Sequence, residues 1–138
     1  MPNEWNQKII EEFRANAGKV GGPFEGAPVL LLTTTGAKSG NKHTTPMMYQ
    51  EGDGRLHVFA SKAGAPTNPD WYHNLVANPT VTVEVGSDTY DAQATPLAGE
   101  ERDRVYGEQV VRYPGFGEYQ EKTIRIIPVV ALIRLAAG

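Results

Sequence analysis

The chain between residues 30 and 46 reads LLLTTTGAKSGNKHTTP. Its first part is apolar and rich in threonine, as in a strand, and its second part carries two glycines, two lysines and a histidine without an acidic residue. Glycines let main-chain N–H groups approach an anion, hydroxyls add donors, and lysine adds charge. The pattern predicts a strand that leads into an anion-binding loop. Spacing alone leaves open a solvated hairpin loop, and it excludes a P-loop because Asn41 follows Gly40.

Length and composition limit what the chain can be. With 138 residues and no cysteine, we expect a single domain over residues 1–138, without disulfides or thiolate metal sites. Three scattered histidines give no metal site, and a net charge of −3 argues against nucleic-acid binding. The sequence shows no signal-like segment and no long apolar run. We therefore expect a cytoplasmic protein without stable membrane insertion.

The order of elements indicates a mainly antiparallel sheet. Hairpin signals occur at residues 51–54 and 86–88, and Asn68, Pro69 and Asp70 predict the cap and first turn of a short helix. We expect a helix within residues 1–17. Within residues 29–135 we expect, in order, three strands, a short helix, two strands, helices (100–112 and 116–125) and a last strand. Because hairpins rather than helical crossovers link most strands, we expect an α+β, mainly β fold: a small antiparallel barrel with short helices at its ends.

The predicted N-terminal helix is amphipathic. Trp5, Ile9, Ile10 and Phe13 fall on one side of it, which favours packing against the domain. Two alternatives are a lid over a pocket and a peripheral contact at the inner face of a membrane. The helix is acidic and short, a poor match to the basic helices that lie on membranes.

A second loop of small residues runs from Ser61 to Thr67, contains Lys62 and leads into the helix near Asp70. The N–H groups at that helix start suit an anion. Aromatic residues follow this loop and the break at residues 114–115; they are Trp71, Tyr72, Tyr113, Phe116 and Tyr119. Taken singly, each aromatic residue is best explained as core. Together with two lysine-containing loops, they predict a slot for a planar ring with a phosphorylated tail, as in redox cofactors.

Four blocks of sequence carry a family resemblance: Leu31 to Gly40, Ala60 to Tyr72, Asn74 to Pro79 and Tyr113 to Gln120. They resemble the deazaflavin-dependent nitroreductase family. The resemblance implies a split β-barrel, related to flavin-mononucleotide-binding oxidases, that binds coenzyme F-420. It also implies hydride transfer from reduced F-420 to a small-molecule acceptor, namely a quinone, a nitroaromatic or another electron-poor conjugated compound.

The resemblance further implies roles for individual residues. The cofactor-binding residues would be Lys38, Ser39, Lys42, His43, Thr45, Pro46, Met47, Ser61, Lys62, Ala63, Gly64, Trp71 and Asn74. The substrate wall would consist of Tyr113, Phe116 and Tyr119. Tyr113, Ser61 and Tyr119 are the candidate catalytic residues, and the hydroxyl of Tyr113 or Ser61 could donate a proton to the reduced acceptor.

Four positions depart from the family's best-known nitroimidazole-activating member. Ala37 and His43 stand where arginines are expected, Phe116 replaces a tyrosine, and Lys122 replaces a tryptophan. We therefore expect coenzyme binding to persist, with nitro-drug activation in doubt. Two alternatives stay open: a split-barrel oxidoreductase that uses flavin mononucleotide (FMN), and a non-catalytic module that binds a flavin or deazaflavin. Either a monomer or a homodimer fits the sequence.

Overall fold

The computed structural model describes residues 4–21, 28–52, 54–61, 64 and 67–135, with side chains from residue 7 onward. Within these residues, four helices and seven strands occur. The helices are α1 (Glu4–Ala15), α2 (Asp70–Ala77), α3 (Gly99–Arg112) and α4 (Gly115–Glu121). The strands are β1 (Val29–Thr35), β2 (Lys42–Met48), β3 (Gln50–Gly52), β4 (Arg55–Phe59), β5 (Thr80–Val85), β6 (Asp88–Pro96) and β7 (Val129–Arg134).

The strands form one antiparallel sheet in the order β2-β1-β5-β6-β7-β4-β3. β2 and β3 lie at opposite ends of this order, yet only Tyr49 separates them in the chain. The run from Lys42 to Gly52 therefore pairs with β1 through its first part and with β4 through its last part. This arrangement curls the sheet into a barrel. The predicted split β-barrel with short helices is confirmed.

Side chains of the barrel alternate between its interior and its outer surface, as the two-residue period of a strand requires. The interior is filled by Leu30, Leu32, Leu56, Val58, Val81, Val83, Val130 and Leu132, among others. β1 and β7 are buried on both faces. Leu31 of β1 packs under α1, and Val129 of β7 packs under α3 and α4.

Helix α1 lies on the barrel through its apolar side. Ile9, Ile10 and Phe13 are buried and pack with Leu31, which confirms that the helix docks on the domain; the side chain of Trp5 lies outside the described residues. Beyond the end of α1, the N–H of Gly18 donates to Phe13 O at 2.8 Å. Gly18 has a φ of +93°, and a Cβ there would lie 2.7 Å from the Cα of Gly86. Only glycine fits this close approach.

Three element boundaries differ from the prediction. Residues 42–46, expected in a loop, are the first part of β2, so the loop is confined to residues 36–41, hereafter the first loop. Helix α2 is capped by Pro69 without a side-chain cap, because the Oδ1 of Asn68 accepts a hydrogen bond from Arg125 instead. The helix expected over residues 116–125 ends at Glu121.

Candidate functional site

A cavity of about 1060 Å³ opens between the first loop, β2, α2 and α1. It brings together seven of the predicted cofactor-binding residues: Lys38, Ser39, Lys42, His43, Thr45, Trp71 and Asn74. Helix α1 adds Gln7, Ile10 and Arg14 to the lining, a contribution that sequence reasoning considered only as a lid. The first loop and the short helix therefore meet in space, as expected.

The first loop is closed by its own backbone. The N–H of Gly36 donates to Asn41 O at 2.7 Å, and the N–H of Gly40 donates to Gly36 O at 3.0 Å. The Oγ of Ser39 accepts from the N–H of Asn41 at 3.1 Å. A Cβ at Gly36 would lie 2.5 Å from the Oγ of Ser39 and 3.2 Å from the Nε2 of His43. The glycine thus makes room for two polar side chains at the cavity.

Asn74 on α2 holds the first loop in place. Its Oδ1 accepts from the N–H of Ala37 at 3.0 Å, and its Nδ2 donates to the Oγ1 of Thr34 at 3.3 Å. One turn later, the Nδ2 of Asn78 donates to Thr35 O at 3.3 Å. Residues four apart lie on the same side of a helix, so the spacing of Asn74 and Asn78 is the sequence signal that both reach β1. Asn74 therefore has a structural task in addition to lining the cavity.

The cavity lining is cationic. Lys38 and Lys42 are exposed, and the Nζ of Lys42 donates to the Oγ1 of Thr35 at 2.8 Å. Arg14 pairs with Glu84 at 2.9 Å, and the hydrogen bond from this pair is the main cause that raises the pKa of Arg14. Within the described lining, these three cations face one carboxylate, Asp70. Such a surface favours an anionic ligand.

Gly64, in the second loop (residues 61–67), packs against α4. Gly64 is buried with a φ of +80°, and a Cβ there would lie 2.7 Å from Tyr119 O and 3.0 Å from the Cβ of Lys122. The N–H of Gly64 donates to Ser61 O at 2.9 Å. Ser61 is partly exposed, and the predicted ligands Lys62 and Ala63 lie outside the described residues. Gly64 thus lies beside Tyr119 of the predicted substrate wall.

The three aromatic residues of the predicted wall differ in exposure. Phe116 is buried in a cluster with Phe59 and Tyr106, with its ring centroid 5.5 Å from that of Phe59. Tyr113 and Tyr119 are partly buried and pack on the same cluster. None of the three residues lines the cavity beside the first loop.

Two further predicted ligands are buried beside the site. Pro46 and Met47 lie in β2, and Met47 belongs to the barrel interior. Sequence reasoning missed Tyr106, whose hydroxyl donates to Phe116 O at 2.6 Å and fixes the first turn of α4. Burial raises the pKa of Tyr106 to about 12.

Two classes of feature were searched for in the described part of the chain. No group of three or more histidine, aspartate or glutamate side chains suited to a metal ion was found there. Among the described helices, none has the length and apolar character needed to cross a bilayer.

Comparison with known proteins gives the family. Residues 5–134 match the model of the F420H(2)-dependent quinone reductase family. The chain belongs to this family. An F420H(2)-dependent quinone reductase of Mycobacterium tuberculosis is 41% identical over 127 residues, which span 88% of this chain and 85% of that protein.

Two solved structures of family-level similarity support the fold. One, described as an F420-H2 dependent reductase (FDR-A), superposes with a TM-score of 0.70 and 47% identity, over 76% of this chain and 93% of that one. Another, described as a domain-swapped dimer, has a TM-score of 0.72 and 41% identity, over 94% of this chain and 95% of that one. The resemblance to the deazaflavin-dependent reductases is confirmed.

The site of this quinone-reductase family member fits a phosphorylated ring cofactor on the evidence of its own residues. Its lining offers cations and hydroxyls to an anionic tail. At Gly36, a Cβ would lie 2.5 Å from the Oγ of Ser39, so glycine leaves room for this hydroxyl at the cavity. Trp71 is partly exposed at the cavity and offers an aromatic surface to a ring.

Proposed function

We infer that the chain is a reductase that uses reduced coenzyme F-420 to reduce a quinone or another electron-poor conjugated acceptor. The observation that supports this most is the cationic cavity between the first loop and α2, in a chain that matches the F-420-dependent family over residues 5–134.

We propose that the coenzyme tail lies along the first loop and β2. Lys38 and Lys42 would contribute charge, while Ser39, His43 and Thr45 would contribute polar groups from the cavity lining. Charge-assisted hydrogen bonds to phosphate are roughly twice as strong as neutral ones. Pro46 and Met47 are buried, so we assign them support of this surface from beneath.

The ring would lie between α2 and the second loop. Trp71 and Asn74 border the cavity on the α2 side, and Ser61 and Gly64, together with Lys62 and Ala63, would bind the phosphate and ring edge from the other side. When bound, reduced F-420 supplies the hydride. The task of the chain is to hold the ring and acceptor in register, which lowers the entropic cost of the reaction.

We propose that a hydroxyl near the second loop donates the proton to the reduced acceptor. Tyr113, Tyr119 and Ser61 are partly exposed and are the candidates, with Tyr113 and Ser61 favoured. Phe116 lies deeper, among core residues, so we assign it the backing of the substrate wall behind Tyr113 and Tyr119.

The assembly and location of the protein are also proposals. We propose a homodimer, because a relative that is 41% identical over 94% of this chain is described as a domain-swapped dimer. A peripheral membrane contact of α1 has no support from its described side chains. Ile9, Ile10 and Phe13 face the barrel, whereas Lys8 and Glu11 are exposed. We therefore propose that the acceptor reaches the site without docking of α1 on a membrane.

Ligand titration followed by turnover tests the function. Oxidised F-420 should quench tryptophan fluorescence, because Trp71 lies at the cavity, and the absorbance of reduced F-420 should change when the quinone menadione is added. Quenching by FMN but not by F-420 would favour the flavin alternative. Tight F-420 binding without oxidation would favour a non-catalytic module. No quenching by either ligand would contradict the proposal.

Two substitutions locate the site within this experiment. Lys38→Ala should weaken F-420 binding by about 1 to 3 kcal/mol if the lysine contacts phosphate, whereas Lys19→Ala, an exposed lysine outside the cavity, should not. Tyr113→Phe should lower turnover more than binding. Its control is Tyr90→Phe. Tyr90 is on β6, where the guanidinium of Arg134 covers its ring. If a target substitution and its control have equal effects, the target residue has no specific role in the site.

A further inference from the structure

Arg125 lies in the segment that follows α4, and its side chain reaches both ends of the second loop. Its Nη1 donates to Ala60 O at 3.1 Å and to the Oδ1 of Asn68 at 2.7 Å. Its Nη2 donates to Ser61 O at 2.7 Å. Ala60 precedes the second loop, Ser61 begins it, and Asn68 follows its last residue. One guanidinium group therefore joins the two ends of the loop.

The backbone around Arg125 is itself held by Gln120 and Arg102. The Nε2 of Gln120 donates to Arg125 O at 2.7 Å, and its Oε1 accepts from the N–H of Ile127 at 3.1 Å. Arg102 on α3 donates to the Oε1 of Gln120 at 2.7 Å and to Ile127 O at 2.8 Å. These contacts explain why α4 stops short of Arg125. They also fix the direction in which Arg125 leaves the backbone.

The position of Arg125 is costly for a charged group. Burial lowers the pKa of Arg125, and the three oxygens that it contacts around the loop are neutral carbonyl and amide groups. The guanidinium meets these three oxygens through the directions of its N–H groups. A planar guanidinium can direct several N–H groups at separate acceptors at once, whereas a lysine ammonium acts as a single point charge.

The contacts of Arg125 also relate the two halves of the site. Asn68 lies just before α2, which carries Trp71 and Asn74 at the cavity beside the first loop. Ser61 O accepts both from Arg125 and from the N–H of Gly64, so this oxygen connects Gly64 to the guanidinium of Arg125. The guanidinium thus links Ser61 to Asn68 at the start of α2.

We propose that Arg125 is a positioning residue that holds Ser61 and Asn68, at the two ends of the second loop, in place relative to α2 before the coenzyme arrives. The inference rests on the proposed function, because it assigns F-420 to this loop. Residues that are already held in place lose less conformational freedom on binding, so affinity rises without a direct contact between Arg125 and the ligand.

The test uses the full chain with Arg125→Ala, Arg125→Lys and the control Arg104→Ala, whose target pairs with Glu108 on the exposed side of α3. Three quantities are measured: the Kd of F-420 by tryptophan quenching, kcat at saturating coenzyme, and hydrogen exchange of the Gly64 amide without ligand. We expect Arg125→Ala to raise Kd about tenfold, equivalent to about 1.4 kcal/mol. We also expect faster Gly64 exchange and a largely retained kcat.

Chemical rescue distinguishes a positioning role of Arg125 from a general loss of stability. Millimolar guanidinium should restore part of the F-420 affinity of Arg125→Ala but none of that of Lys38→Ala. Arg125→Lys should resemble Arg125→Ala, because one ammonium does not span the separate acceptors. If Arg125→Ala does not fold, Asn68→Ala removes the contact at the end of the loop alone, and a smaller rise in Kd is expected.

The outcomes distinguish this inference from the proposed function. If the wild-type chain binds F-420 and Arg125→Ala binds it equally well, the positioning role is overturned while the function stands. Full recovery of affinity in Arg125→Lys would also overturn it, since charge and not the planar fork would then suffice. If the wild-type chain does not bind F-420, the proposed function fails, and the role in coenzyme binding falls with it even if Gly64 exchange responds to the substitution.

Discussion

Gly64 offers the sharpest test of how the second loop is seated on α4. Its φ of +80° is unfavourable for any residue with a Cβ. A Cβ at this position would also lie 2.7 Å from Tyr119 O and 3.1 Å from the Cα of Tyr119. Both are main-chain atoms of α4, which a side-chain rotation cannot move away. Gly64→Ala therefore combines a conformational cost with a packing cost.

The two costs can be given approximate sizes. An alanine in the left-handed region costs about 1 to 2 kcal/mol, and overpacking against a fixed neighbour costs about 1 to 3 kcal/mol. We expect Gly64→Ala to lower the free energy of unfolding by about 2 to 5 kcal/mol, a large part of the roughly 5 to 15 kcal/mol typical of a domain. Urea titration followed by circular dichroism measures this difference.

Gly54→Ala is the matched control. Gly54 has a φ of +76°, and a Cβ there meets no atom within 4 Å, so it carries the conformational cost alone, about 1 to 2 kcal/mol. The difference between the two variants isolates the contact with α4. Equal destabilisation by Gly64→Ala and Gly54→Ala would refute the reasoning, because it would show that the contact of Gly64 with α4 adds no cost.

Two further predictions concern Tyr106 and Asn74. Burial raises the pKa of Tyr106 to about 12, so the stability that its protonated hydroxyl contributes through Phe116 O is complete below the ordinary pKa of about 10 and is lost as the pH rises through about 12. The difference in unfolding free energy between wild type and Tyr106→Phe should shrink over that range, and a constant difference in urea titrations would contradict the assignment. Asn74→Ala should destabilise the chain by about 1 to 3 kcal/mol, because the N–H of Ala37 loses its acceptor, whereas His73→Ala, an exposed neighbour on α2, should not; thermal unfolding that ranks the two equally would show that Asn74 does not hold the loop.

The barrel was predictable where the signals are local. The alternation of Val81 and Val83 with polar residues and the turn at residues 51–54 predict antiparallel strands, and both are present. The start of β2 was missed because Lys42 and His43 have low strand propensity. These residues pair with β1 nonetheless, where the hydroxyls of Thr33 and Thr44 lie 2.8 Å apart. Sheet pairing overrides local preference there.

The candidate site divides in the same way. Residues of the first loop and α2, such as Lys38 and Trp71, were predicted from loop composition and helix-start signals and do meet at one cavity. Arg125 gave no such signal, because its acceptors lie up to 65 residues away in the chain. The family resemblance assigned Phe116 to the substrate wall, and its ring belongs to the core under α4. Long-range partners cannot be read from spacing in a single sequence.

The place of β7 in the sheet has a consequence for synthesis of the protein. β7 is the last strand in the chain, yet it lies between β6 and β4, where Leu132 pairs with both Ala94 and Leu56. Until β7 leaves the ribosome, β4 and β6 lack the partner that joins them, and unpaired strand edges promote association with other chains. A nascent chain that stops before Val129 therefore exposes two sheet edges, which can pair with other chains until β7 has been made.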